Sequence, residues 1–267
     1  MAAGKYASKL HNANVLILGG TSGIGFAVAE AAYEFGAMVT ISGTNQAKID
    51  TKIAEMKSNN SAGDASKLRG YPCDLGEQEK MEGNLKALFD FATNNGERKL
   101  DHIVFCAGDA PAIRKLEEVD VVYVQRFSMI RFAAPAVIAK LITLHSYLNS
   151  SPSSSITLTS GINTAKPSKG WTVGAGVGGA VEGAARGMAV DLAPIRVNCV
   201  SPGAVHTELL DKVGAENLEG MLAMFKDKSM TKTVGRPEDL AEAYLYCMRD
   251  RFVTGSVIES NGGGLLA

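Results

Sequence analysis

The amino-acid sequence predicts an α/β fold, a doubly wound parallel sheet of about seven strands in one three-layer α/β/α domain spanning residues 1–267. Two observations carry this. Short apolar runs alternate with longer helix-like segments along the whole chain, which is the pattern of a parallel sheet covered on both faces. The first such run, Val15-Leu16-Ile17-Leu18, passes directly into Gly19-Gly20-Thr21-Ser22-Gly23-Ile24-Gly25 and then into a helix-like stretch, so strand, tight glycine turn and helix follow in order. At 267 residues and 46% hydrophobic content, the chain can bury the core such a domain needs.

The elements follow in sequence. Phe26–Phe35 is the first helix, Met38–Ser42 the second strand and Gln46–Met56 the second helix. Lys57–Lys67, with Asn59, Asn60, Ser61 and Gly63, is an exposed loop. Gly70–Cys73 is the third strand, and a helix opens after Asp74-Leu75-Gly76 and stops near Asn94-Asn95-Gly96. His102–Cys106 is the fourth strand. One long helix covers about Arg126–Leu148 and ends before the Ser/Pro run Ser150–Ser155. Ile156–Thr159 is the fifth strand, Val173–Leu192 a helix stopped by Pro194, and Arg196–Val200 the sixth strand. After Pro202-Gly203, Leu218, Met221, Leu222 and Phe225 recur at helical spacing. Two readings of that stripe stay open: ordinary core, or part of a lid over a greasy substrate near residues 204–234. Pro237 begins the last helix, Glu238–Met248, and Val257–Glu259 is the last strand.

Composition narrows function. Net charge is −1 and Lys and Arg form no block, so the electrostatic footprint of nucleic-acid binding is missing. Cys73, Cys106, Cys199 and Cys247 are scattered without Cys or His partners, which argues against disulfides and against a metal site. Met1–Asn14 has no apolar signal core and Val15–Leu18 is too short to span a bilayer, so the expectation is a cytoplasmic protein with no membrane partner. The glycine turn speaks for a small anionic ligand. Glycines let the backbone approach a pyrophosphate, and the N–H groups and dipole at the helix start attract its charge.

Several further motifs accompany that turn. Gly19, Gly23 and Gly25 match a T-G-x-x-x-G-x-G pattern with Leu18 in place of Thr; Cys106-Ala107-Gly108 matches N-A-G with Cys for Asn; Arg196-Val197-Asn198, Ser201-Pro202-Gly203 and Asn261-Gly262-Gly263 match later motifs. By these residues the chain resembles the short-chain dehydrogenase/reductase family over nearly its whole length. The resemblance implies a Rossmann-type sheet, a nicotinamide cofactor and a homo-oligomer, tetramer or dimer. It places the cofactor against Gly19, Thr21, Ser22, Gly23, Ile24, Asp74, Ala107, Gly108, Pro202, Gly203, Val205 and Thr207, with Asp74 on the adenine and Thr207 on the carboxamide. The second strand ends Ser42-Gly43-Thr44-Asn45 without the acid that would bind a ribose 2′-OH, which favours NADP(H), with Ser42, Thr44 and Asn45 as phosphate donors and Lys48 nearby.

The catalytic signature departs from the family. Ala180-Val181-Glu182-Gly183 fixes the helix register, so Gly174 stands where the family has its Tyr and Gly178 where it has its Lys. The family Ser falls on Gly161, with Ser160 adjacent, and its helper Asn falls on Arg131. The Tyr protonates the oxygen formed when hydride reaches a carbonyl, and the Lys lowers its pKa. An iminium needs no such acid, because its reduction yields a neutral amine. Gly174, Gly176, Gly178, Gly179, Gly183 and Gly187 each disfavour a helix interior by about 1 kcal/mol against Ala. Close helix packing and room for a large ligand are both open as the reason.

Gly108-Asp109, Arg131, the missing Tyr and Lys, and Pro167-Ser168-Lys169-Gly170-Trp171 resemble a fungal branch of the family that contains NADPH-dependent reductase/Diels–Alderases of malbrancheamide and paraherquamide type. This implies reduction of an imine or iminium in a bulky indole alkaloid or similar secondary metabolite, and guidance of an intramolecular [4+2] cycloaddition. Asp109 would then stabilise charge on the reacting nitrogen; Arg131 would hold a polar substrate group or pair with Asp109; Trp171 would stack on an indole, with Ser160 and His206 lining the substrate. Capping or a turn at Asp109, a structural Arg131 and plain packing at Trp171 are the alternatives. Ser160 to Val181 holds no Asp or Glu where the branch would place an acid. A non-redox cyclase or isomerase, and a catalytically dead NADP(H)-binding protein, are the other functional readings.

Overall fold

The computed structural model describes residues 4–109, 113–211 and 215–267. Seven parallel strands form one sheet: β1 (Asn14–Leu18), β2 (Met38–Gly43), β3 (Leu68–Pro72), β4 (His102–Phe105), β5 (Ser155–Thr159), β6 (Arg196–Pro202) and β7 (Val257–Ser260), in the spatial order β3-β2-β1-β4-β5-β6-β7. Every residue of β1 is buried. Its side chains alternate, Leu16 and Leu18 entering one apolar cluster and Val15 and Ile17 the other, so the strand sits between two helical layers. Winding reverses between β1 and β4, which opens a crevice at the carboxyl ends of these strands.

The described helices are α1 (Gly23–Glu34), α2 (Gln46–Asn59), α3 (Gln78–Ala92), α4 (Val121–Ser128), α5 (Ala134–His145), α6 (Thr172–Asp191), α7 (Glu208–Asp211), α8 (Ala215–Asp227) and α9 (Pro237–Arg249). One cluster packs α3, α5 and α6 on the sheet; the other packs α1 and α9. Helix α3 ends as expected, with Asn94, Asn95 and Gly96 all at positive φ.

Three expectations need correction. The Lys57–Lys67 loop is shorter than expected, because α2 runs to Asn59 and a 3₁₀ turn forms at Ala65–Lys67, capped by Asp64. The helix expected over Arg126–Leu148 starts at Val121, loosens into a π turn at Met129–Ala133, and ends at His145 with Ser146 left-handed. Pro135 explains the loosening: it has no N–H for the carbonyl of Arg131, and its ring crowds that turn. The stripe Leu218, Met221, Leu222 and Phe225 lies on α8 and is half-buried, so it is not core.

Val121–His145 is long and apolar enough to cross a membrane by length and composition, and most of it is not buried. Val121, Val122, Val124, Phe132 and Leu144 face outward. All four cysteines are free thiols, and no metal-holding group occurs among the described residues.

Candidate active site

Main chain closes the glycine turn at Gly19 and Gly25. Gly19 has φ +80°, and a Cβ there would sit 2.6 Å from Ala107 N. Gly25 lies against the carbonyl of Gly19, so a side chain there would collide with the turn itself. The N–H groups of Gly19 and Gly20 donate to Ser42 O, both at 3.0 Å, and Cys106 N–H donates to Leu18 O at 2.9 Å. These bonds hold the ends of β1, β2 and β4 around one crevice.

Helix α1 begins at the floor of that crevice. Ser22, its N-cap, makes no side-chain capping bond, and the first turn holds no acid. The N–H of Gly23 instead donates to Oε2 of Glu208 at 2.9 Å, and the methyl of Thr207 lies 3.0 Å from where a Gly23 Cβ would stand. A carboxylate therefore already rests where a helix N-terminus accepts an anion, which fits the residues to a dinucleotide pyrophosphate. Pro202, Gly203, Val205 and Thr207 come to this place because β6 runs to Pro202 and Gly203 lies tight against the Asn261 main chain.

Around the phosphate turn the predicted residues divide. Thr44 and Asn45 are exposed; Asn45 Oδ1 accepts Lys48 N–H at 2.9 Å, which leaves its amide donors outward. Thr21 packs its hydroxyl against Gly43. Ile24 is half-buried on the first turn of α1. Asp74 is exposed and spends Oδ1 on Gly76 N–H at 2.8 Å, which leaves its second oxygen for a ligand. Ser42 is the correction: at 2% exposure its hydroxyl cannot reach a phosphate at the surface, because β2 is covered on both faces.

At the end of β4, the guanidinium of Arg131 lies flat against Gly108, where a Cβ would be 2.6 Å from Cζ. Arg131 Nη2 donates to the main-chain carbonyl of Asp109 at 2.5 Å. The expected side-chain pair is thus a side-chain-to-backbone bond, and among the described residues the exposed Asp109 carboxylate has no hydrogen-bond partner, its charge acting on Arg131 only through space. Burial pushes the Arg131 pKa down, and the nearby Asp109 charge opposes that shift. Arg131 also lies over the Phe127 ring, 5.9 Å from its centroid.

The vacated Tyr and Lys positions are filled. A Cβ on Gly174 would meet the Trp171 ring at 2.8 Å and Phe127 Cζ at 3.6 Å, and a Cβ on Gly178 would run into the Thr164 hydroxyl. Room for a ligand is therefore not the reason for these two glycines. Gly176, Gly179, Gly183 and Gly187 have open space and form an exposed face of α6.

Ser160 and His206 are engaged elsewhere. Ser160 Oγ donates to Glu182 Oε1 at 3.0 Å, and His206 Nε2 is 2.9 Å from Asp211 Oδ1; neither is hydrogen-bonded to Asp109 or Arg131. Tyr244 does not replace the missing tyrosine. It is fully buried, its hydroxyl 2.7 Å from Thr159 Oγ1, and burial raises its pKa well above the ordinary value. Cys106 beside it is likewise pushed up to about 11, and so stays a thiol. Sequence reasoning missed Glu208, Phe127 and Thr164. Only the adjacency of Glu208 to Thr207 hinted at any of them.

The family model described as an SDR-like Rossmann domain matches residues 6–267. The short-chain dehydrogenase/reductase malC of Malbranchea aurantiaca is 44% identical over 257 residues, 96% of each chain. The short-chain dehydrogenase/reductase fsr5 of Gibberella fujikuroi is 42% identical over 269 residues, 99% of this chain and 98% of that one. Among solved structures, that of MalC Reductase/Diels-Alderase from Malbranchea aurantiaca has a TM-score of 0.93 at 42% identity, covering 98% of this chain and 100% of that one. A small-chain dehydrogenase in complex with NADPH has a TM-score of 0.75 at 26% identity, covering 96% and 100%.

Proposed function

This chain belongs to the short-chain dehydrogenase/reductase family, and from that premise we propose that it is an NADPH-dependent reductase of an imine or iminium in a bulky fungal secondary metabolite of indole-alkaloid type. One observation carries the reading. The active-site end of β4 presents an exposed carboxylate, Asp109, with no hydrogen-bond partner among the described residues, while the family's proton donor is replaced by Gly174 under Trp171.

Gly19, Thr21, Ser22, Gly23, Ile24, Thr44, Asn45, Asp74, Ala107, Gly108, Pro202, Gly203, Val205 and Thr207 would hold the cofactor, and NADPH supplies a hydride when bound. The absence of an acid at the end of β2, with Lys48 close by, favours the 2′-phosphorylated form. Asp109 acts on the substrate. A carboxylate beside a C=N nitrogen favours its cationic form, which is the better hydride acceptor and ends as a neutral amine without a coupled proton. Arg131 holds the main chain of Asp109 and so fixes where the carboxylate points. Trp171 and Phe127 offer an aromatic wall, and α8 with its half-buried apolar stripe closes over the substrate as part of a lid near residues 204–234.

The relative named a reductase/Diels–Alderase supports a further role in shaping a following intramolecular [4+2] cycloaddition. Pairing of copies through the exposed apolar face of Val121–His145 and the small-residue face of α6 would give a homo-oligomer. A cytoplasmic place of work is part of the same proposal.

The test is NADPH consumption with a preformed cyclic iminium against the matching ketone. Consumption with the iminium alone is expected; none with the iminium, while NADPH binds, overturns the redox claim.

A further inference from the structure

We propose that Glu208 is an internal anion at the pyrophosphate position, which the dinucleotide must displace, so that this residue sets how tightly the cofactor is held. The inference rests on the reading of the Gly19–Gly25 crevice as a dinucleotide site.

Four observations support it. Gly23 N–H points out of the first turn of α1 and donates to Glu208 Oε2 at 2.9 Å, from a residue 185 positions away in sequence. Among the described residues Ser22 makes no side-chain capping bond, and the first turn of α1 has no acidic residue. Glu208 has no cationic partner among the described residues, so the helix N-terminus is what holds its charge. Thr207 packs its methyl on Gly23, which sets the carboxylate of the next residue over the turn.

The physical consequence is competition. A helix N-terminus draws one negative group into its first turn, and a pyrophosphate brought to the same N–H would meet the Glu208 carboxylate at close range. Cofactor binding therefore breaks the Glu208–Gly23 bond and frees α7 from the phosphate turn. The contact is exposed, so the carboxylate is displaceable rather than blocking.

Two variants test this, with direct binding as the readout. Glu208→Gln removes the charge at constant size, and Glu208→Ala removes the group. NADPH titration by calorimetry should show both binding about two- to fivefold more tightly than the parent, the range an exposed charge at a helix N-terminus commands. Inorganic pyrophosphate, as a competitor for NADPH, should gain by a similar factor. Thermal melts verify that both variants are folded. Parent protein that binds NADPH, with folded variants binding it equally or less tightly, overturns the role of Glu208 and leaves the dinucleotide site intact. No NADPH binding by the parent or either variant overturns the dinucleotide reading, and this inference with it.

Discussion

The glycines that follow β1 and those that open α6 are there for opposite reasons. At Gly19, just past β1, and Gly25, in the first turn of α1, an added Cβ meets main chain: Ala107 N in one case, the Gly19 carbonyl in the other. At Gly174 and Gly178, on the first turns of α6, it meets the ends of side chains, Trp171 and Thr164. Main chain cannot yield without undoing the turn, whereas a side chain can turn or be exchanged. The phosphate turn is thus fixed by the fold, and the catalytic turn has been refilled by its neighbours. Loss of the family's Tyr and Lys left aromatic packing behind, not an empty slot.

That contrast is open to attack by mutation, and the largest effect should fall on the phosphate turn. Gly25→Ala forces a methyl into the Gly19 carbonyl and should cost about 3 kcal/mol or more of stability, with loss of measurable NADPH binding; calorimetry and denaturant unfolding check both. Next comes the charge. Asp109→Asn should lower turnover of an iminium about a hundredfold or more while the NADPH dissociation constant stays unchanged, because the Arg131 bond runs to the main chain and survives.

Smaller in stability but sharper in meaning is the restored pair Gly174→Tyr with Gly178→Lys. It should cost about 1–3 kcal/mol by overpacking and gain no ketone reduction, since Trp171 and Thr164 hold the space. Adding Trp171→Ala and Thr164→Ala should relieve that cost. Ketone reduction in the pair alone would show that the catalytic turn was never refilled.

Smallest at neutral pH, and growing only as the solution is acidified, is an effect in the sheet below. His102 on β4 is buried, its Nδ1 2.9 Å from Ser155 Oγ, and burial with help from Arg196 and Arg251 lowers its pKa to about 3. Its folded value lies below the ordinary 6.5, so the stability it contributes is complete above pH 6.5 and is lost as pH falls toward 3. The slope is about 1.4 kcal/mol per pH unit inside that window. A His102→Gln variant should show a flatter acid limb than the parent in denaturant unfolding at pH 7, 6 and 5.

What could be read in advance follows from range. Strand, glycine turn and helix at 15–35 lie within one local pattern, and so do the Asn94-Asn95-Gly96 stop and the Pro237 start. Pro135 is equally local: without an N–H for the carbonyl of Arg131, it marks the break in the helix in the sequence itself. Ser42 was misplaced because a central parallel strand is buried on both faces, so alternation no longer tells which side meets solvent. The contacts Glu208 to Gly23, Ser160 to Glu182 and Thr164 over Gly178 depend on how separate elements meet. No spacing in the sequence encodes them. The same holds for the Arg131 bond, where both residues were picked out but the acceptor is backbone.

Under this proposal hydride reaches a C=N carbon in a site that has Gly174 where the family has its tyrosine. NADPH carrying deuterium at its transferable position, incubated with the protein and a preformed iminium, tests that most directly. The predicted result is an amine with deuterium at the former C=N carbon and consumption of NADPH equal to product. Product without deuterium, or full turnover by protein stripped of cofactor, would contradict it.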